Sequence, residues 1–272
     1  MPRIITKAPD RSLASALRDM RLGLERWSLL WILSMNDIKQ RYRRSKLGQF
    51  WLTLSMGVTV ATLGVLYPLI FHIPTSQYLP HVAASYVIWT LMSALVTEGC
   101  VTFISASGFL KQSSEPRSIY VYRVLVRNAV VLLHNALVVV VVFALFRIVP
   151  HWTALLSLLG LALLYLCAGW VVLLLGTICA RFRDLPQIIT SLTQVAFLAT
   201  PVMWQPEMLP PAHRWIVDVN PFAVFLALIR DPLLGIVPDA RVWQIAIGIT
   251  LGGYLLVLPF FAQFRARIVY WL

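Results

Sequence analysis

Ala154-Leu-Leu-Ser-Leu-Leu-Gly-Leu-Ala-Leu-Leu-Tyr-Leu-Cys-Ala-Gly-Trp-Val-Val-Leu-Leu-Leu-Gly-Thr-Ile-Cys-Ala180 contains no Lys, Arg, Asp, Glu or His. About 20 consecutive apolar residues suffice to carry a helix across a bilayer. A helix is the expected form, because in lipid every backbone polar group must be satisfied inside its own segment. Comparable runs lie near Gln49–Phe71, Ala83–Ser107, Val124–Phe146, Ile188–Trp204 and Val242–Phe264, which makes six spans. The whole chain agrees: 59% of its 272 residues are hydrophobic and 12% charged, where soluble domains carry roughly 25% charged residues. Its mean hydropathy is +0.78. The expected fold is therefore an all-α integral membrane protein. It consists of a polar N-terminal segment over residues 1–48 and one membrane domain over 49–272.

The net charge of +12 takes its meaning from its distribution. Of 23 Lys and Arg residues, 19 fall in residues 1–48, 107–127, 181–187 and 265–272, and only Arg147, Arg214, Arg230 and Arg241 fall in the alternate segments. This is the positive-inside pattern with both termini cytoplasmic. Nucleic-acid binding, which needs a contiguous basic surface with exposed aromatics, is not expected. Cys100, Cys167 and Cys179 lie inside apolar runs, with spacing that matches neither a disulfide framework nor a metal site. The first 28 residues hold no apolar core, so no cleavable signal peptide is expected.

Ahead of the first span, Leu13, Leu17, Met20, Leu24, Trp27 and Trp31 recur at steps of three and four, with Arg11, Arg18, Arg21 and Glu25 on other faces. That period predicts an amphipathic helix suited to the membrane interface; a soluble helix docked on a partner would show the same pattern. His72–Val82 carries no Lys, Arg, Asp or Glu and suits an outside turn. Between residues 205 and 241, Pro206, Pro210, Pro211, Pro221, Pro232 and Pro238 interrupt apolar sequence. Pro211 can open one short helix to Asp218, and Asn220 as N-cap with Pro221 at the first position another, to about Arg230. Ten residues make roughly 15 Å of helix, about half the hydrocarbon thickness. These are expected to be re-entrant half-helices against protein or a water-filled cavity; an ordinary proline-rich outer loop is the alternative.

No phosphate-binding loop, H-E-x-x-H, G-x-S-x-G or paired-carboxylate motif is present, so neither nucleotide hydrolysis nor enzyme chemistry is expected of this chain. One carboxylate stands out. Glu98 lies about ten residues before the cytoplasmic end of the second expected span, and His134 and Asn135 about ten after the start of the third. On adjacent antiparallel helices all three would sit roughly 15 Å deep. They are read as a buried polar clamp, with a substrate or proton role as the alternative.

The stretch Asp37-Ile-Lys-Gln-Arg-Tyr-Arg-Arg-Ser-Lys-Leu-Gly-Gln-Phe-Trp51 runs directly into the first span. It resembles the D-x-x-x-R-Y-x-R-S-x-L-G-x-x-W segment of ABC-2-type permeases that export polysaccharides such as O-antigen. Glu98-Gly99, Pro116-Arg117-Ser118, Tyr122-Arg123, Arg127-Asn128, His134-Asn135, Arg181-Phe-Arg-Asp184, Thr200-Pro-Val202, Asn220-Pro-Phe222 and Tyr270-Trp-Leu272 extend the likeness over nearly the whole chain from about residue 25. The resemblance implies six spans per subunit, a homodimer in a bacterial inner membrane, and two copies of a separate ABC ATPase. ATP and Mg would be bound by that ATPase, and this chain would bind no cofactor and no metal. The implied cargo is a polyprenyl-diphosphate-linked polysaccharide; capsule and teichoic acid remain open. Glu115, Pro116, Arg117, Tyr120 and Arg123, with Arg181, Arg183 and Asp184, would couple to the ATPase, and the region 205–241 would form an outer gate. For such a cargo, Arg41, Arg43, Arg44 and Lys46 suit a lipid diphosphate at the cytoplasmic surface, although anchoring of the first span uses the same residues. Tyr67, Tyr86, Trp89, Trp204 and Phe222 offer flat faces to sugar rings along a polysaccharide channel; interfacial belts are their ordinary alternative. An exporter of small hydrophobic molecules and a polytopic glycosyl- or acyltransferase are the rival readings.

Overall fold

A computed structural model describes residues 12–43, 48 and 50–272. Among them the regular structure is helical. The N-terminal pair is α1 (Leu13–Glu25) and α2 (Trp27–Tyr42), followed by α3 (Phe50–Phe71) and α4 (Thr75–Cys100). Two short turns of helix, α5 (Thr102–Ser105) and α6 (Ser107–Gln112), lead to α7 (Ser118–Leu145), α8 (Ala154–Arg181) and α9 (Leu185–Ala199). Then come α10 (Trp215–Asp218), α11 (Pro221–Leu233), α12 (Ala240–Phe264) and α13 (Ile268–Trp271).

Five of these helices, α3, α4, α7, α8 and α12, are long and apolar enough to cross a membrane. The fifth expected span, Ile188–Trp204, is realised as α9, whose 15 residues reach only about 22 Å. Thr200 turns extended and Pro201 follows, so the helical ladder stops there. The second span also differs from expectation. Its helix begins at Thr75, absorbing most of the loop expected over His72–Val82, and it ends at Cys100. Pro80 sits inside the helix with no break in assignment, since a proline near the start forfeits few ladder bonds.

Helix α4 is the axis of the bundle, packed by α3, α7, α8, α9 and α11. Its most apolar window is 67% buried, against 22% for α3. Close approach at the crossing of α8 and α11 rests on Gly160, where a Cβ would stand 2.6 Å from the Leu228 carbonyl oxygen. Serine hydroxyls cement the same crossing: Ser157 Oγ donates to Ile229 O at 2.8 Å.

The single amphipathic helix expected from Leu13 to Trp31 is two helices, parted at Arg26. The bulky stripe Leu13, Leu17, Leu24, Trp27 and Trp31 faces outward. The buried face of α1 is made of Ser15, Ala16, Asp19 and Gly23, residues small enough, Asp19 apart, to let α1 lie close on α7 and α12. Of the two short helices expected in 205–241, the first is fragmented. Residues Pro206–Met208 and Pro211–His213 are 3-10 turns, and α10 has only four residues. The second is α11, with Asn220 as its N-cap accepting from Phe222 N at 3.0 Å. Its 13 residues cover about 20 Å, too short to span. They are buried against α4, α8 and α12.

Candidate functional site: a groove and an ion-pair network on the central helix

Two features of α4 carry chemistry. Along its second half, Tyr86, Trp89, Thr90, Ser93, Ala94 and Thr97 repeat at helical spacing and form one stripe. Facing them, Thr190, Thr193, Gln194 and Phe197 form the matching stripe of α9. Between them lies an open groove of about 550 Å³. One end is aromatic: Phe197 stands 6.3 Å from Tyr86 edge-on and 5.4 Å from Trp89, centroid to centroid. The remainder is lined by hydroxyls and one amide.

Of the five expected channel aromatics, the structure brings Tyr86 and Trp89 into this groove. Phe222 backs Trp89 at 5.4 Å, but it lines a different, almost wholly apolar cavity with Met92, Leu95 and Phe225. Tyr67 lies apart, stacked on Tyr78, and Trp204 donates its indole N–H to Leu198 O at 3.2 Å. Gln194, Thr193 and Phe197 belong to the groove and were not among the expected residues. Their 3.6-residue spacing is legible in the sequence, but nothing there tells which face of α9 meets α4.

In the last turn of α4, directly beyond Thr97, sits the ion-pair network. Glu98 accepts from Arg127 Nη2 at 2.6 Å and from Asn128 Nδ2 at 2.7 Å. Arg127 Nη1 also donates to Asp37 Oδ2 at 2.8 Å, and Asp37 receives both Nε and Nη2 of Arg123. The clamp expected between Glu98, His134 and Asn135 is therefore corrected. His134 turns its ring to the Val130 carbonyl, 2.8 Å away, and the Asn135 Oδ1 is buried without a hydrogen-bond partner. The depth estimate failed because α4 ends at Cys100, which puts Glu98 in its last turn, and α7 begins as early as Ser118. The helices meet two turns before His134.

The residues expected to couple to an ATPase divide in two. Arg181 stacks its guanidinium over Trp271 at 5.4 Å, Arg183 donates to the Trp271 and Leu272 carbonyls, and Asp184 is exposed at the start of α9. Glu115 and Pro116 are half-buried, with Glu115 3.6 Å from Arg26. Tyr120, however, is 4% exposed and Arg123 is held by Asp37, so both face inward rather than toward a docked protein. An unforeseen residue organises this loop. Asp19 of α1 accepts from Arg117 N at 3.2 Å and Ser118 N at 2.9 Å, supplying from another helix the cap that α7 lacks locally. Arg265 Nη1 approaches the same carboxylate at 3.7 Å. Of the basic residues expected to meet a lipid diphosphate, Arg43 is exposed at the end of α2; Arg44, Lys46 and the Arg41 side chain lie outside the described residues.

Beside the aromatic end of the groove, three groups tie down the break after α9. Asn220 Nδ2 donates to Thr200 Oγ1 at 2.9 Å, buried Arg230 donates to Pro201 O at 2.9 Å, and the Tyr78 hydroxyl donates to Met203 O at 2.7 Å.

The family model described as ABC-2 type transporter matches residues 28–234, a stretch that takes in α2, the central helix, the groove and α11. The chain belongs to the ABC-2 type transporter family. Two relatives from Klebsiella pneumoniae, each named O-antigen export system permease protein RfbA, are 22% and 19% identical to it over 207 residues. In both cases the match covers 75% of this chain and 80% of the relative. This ABC-2 permease is thus a multi-pass membrane subunit of a transporter rather than a catalyst, and its family implies an ABC ATPase as partner.

Proposed function

We propose that this permease exports a polyprenyl-diphosphate-linked polysaccharide of O-antigen type from the cytoplasm across a bacterial inner membrane. It works as a homodimer with two copies of an ATPase that binds ATP and Mg, and both termini are cytoplasmic. The observation that carries the cargo class is the groove between α4 and α9, aromatic at one end and hydroxyl-lined along the rest. Flat rings match the apolar faces of pyranoses, and hydroxyls replace the hydrogen bonds that sugars lose on leaving water. The named role of the two relatives supports the same cargo. The outward apolar stripe of α1 suits a seat in the membrane interface. Half-length α11 and the bound-down turn from Thr200 to Met203 suit an outer gate, because non-helical backbone at membrane depth persists only against protein or water.

In a strain lacking the gene, long lipid-linked glycan is expected to accumulate on the cytoplasmic side while surface polysaccharide is lost. Unchanged glycan on both sides overturns the proposal. A second reading, export of small hydrophobic molecules, is favoured by the apolar cavity of about 410 Å³ between α4, α8, α11 and α12. It predicts loss of efflux of labelled drugs with glycans unaltered.

A further inference from the structure

The hydroxyls of the groove have a definite polarity. Thr90 Oγ1 donates to Val87 O, Thr97 to Ser93 O, Thr190 to Pro186 O and Thr193 to Ile189 O, each at 2.8 Å. A hydroxyl has one proton and two lone pairs. With its proton committed to the helix backbone, each threonine hydroxyl keeps only acceptor capacity for a ligand. Among the described residues no Lys, Arg or His lines the groove. The nearest acid along α4, Glu98, is satisfied by Arg127 and Asn128.

We propose that this groove takes uncharged sugar units and disfavours acidic ones, so that the cargo is a neutral polysaccharide rather than a polyanionic capsule or polyol phosphate. The inference rests on the export reading above and names its substrate class. Sugar hydroxyls are donors and find a row of acceptors. A carboxylate or phosphate is acceptor-only: it meets the same lone pairs, with the Gln194 amide and the Ser93 and Tyr86 hydroxyls as the donors left for it. Taking an ion out of water demands a paired charge or a full set of donors, and the described lining supplies no such charge.

The test uses the full chain purified into lipid nanodiscs. Its probes are a neutral galactan oligosaccharide and a hyaluronate oligomer of matched length, and binding is read by saturation-transfer NMR. The native chain is expected to bind the neutral probe about tenfold more tightly, one charge-assisted interaction being worth roughly that factor. Gln194 is exposed on α9, so charge can be placed there without disturbing the core. Q194K is expected to raise hyaluronate binding about tenfold over the native chain, and Q194E is expected to weaken hyaluronate further. Hyaluronate bound as tightly as galactan by the native chain overturns the selectivity and leaves the export reading intact. Neither probe bound, in a protein whose deletion abolishes surface glycan, overturns the groove as the sugar site. Unchanged surface glycan in the deletion strain overturns the export reading itself.

Discussion

Asp37 stands between two guanidinium groups, and that position makes it the least replaceable residue of the network. It receives Arg123 through two nitrogens and Arg127 through a third, with its side chain only 13% exposed. Its loss strands the part-buried Arg123 and leaves Arg127 on Glu98 alone, so D37A is expected to cost about 3 kcal/mol. E98Q removes one charge but leaves Arg127 on Asp37 and an acceptor for Asn128, so about 1 kcal/mol is expected. Unfolding midpoints in detergent, compared across the two variants, check the order; equal losses would place the structural weight on Glu98 instead. Sequence reading picked out Glu98 because a carboxylate inside a long apolar run is legible from hydropathy, although its depth was not. It named the wrong partners because two turns of helix, invisible to hydropathy, separate Arg127 from His134.

At the scale of elements, α1 is held by small residues and one acid. Asp19 caps α7 in trans, so D19A is expected to leave the spans intact and free the start of α7. The expected cost is about 1 kcal/mol, and it is local. Limited proteolysis within Ser113–Arg117 should accelerate while the global unfolding midpoint moves little. Unchanged cleavage would show that the loop does not depend on α1. The crossing of α8 and α11 makes the opposite prediction, of a global effect. Adding a methyl at Gly160 drives a Cβ toward the Leu228 carbonyl oxygen, and G160A is expected to cost about 1–3 kcal/mol. Gly252 on α12 has open space around its Cβ position, so G252A serves as the control and is expected to be near neutral. Helix existence was legible from apolar run length, and the start of α11 from Asn220-Pro221. The split at Arg26 was not, because the periodicity of the stripe continues through it.

For the whole molecule, the arrangement of charged segments makes a topological prediction. Cys100, Cys167 and Cys179 are all buried, so the native thiols should react poorly and single added cysteines should report cleanly. A membrane-impermeant maleimide is expected to label V149C and V237C, both at exposed positions, in cells whose inner membrane is intact. S113C and Y270C should label only after that membrane is permeabilised. The reverse pattern would invert the protein and with it the direction of export. The groove lies on the buried axis between these two sides, where one stripe of α4 meets the short α9. The same helix therefore carries the proposed sugar path and, near its end, the ion pairs that tie it to α2 and α7.

From the sequence by itself came the membrane class, the positions of five long helices, the family resemblance and an expected orientation. Each depends on sums along the chain: the free energy of placing a segment in lipid adds up over its own residues, and so does the charge of each loop. Only the tertiary structure decided that α4 is central, that Arg127 and Asp37 complete Glu98, that Asp19 caps α7, and that threonines of α4 and α9 border one groove. Those outcomes depend on how far each helix is rotated and shifted against its neighbours. Packing between side chains far apart in the chain sets that rotation, and no local sum contains it.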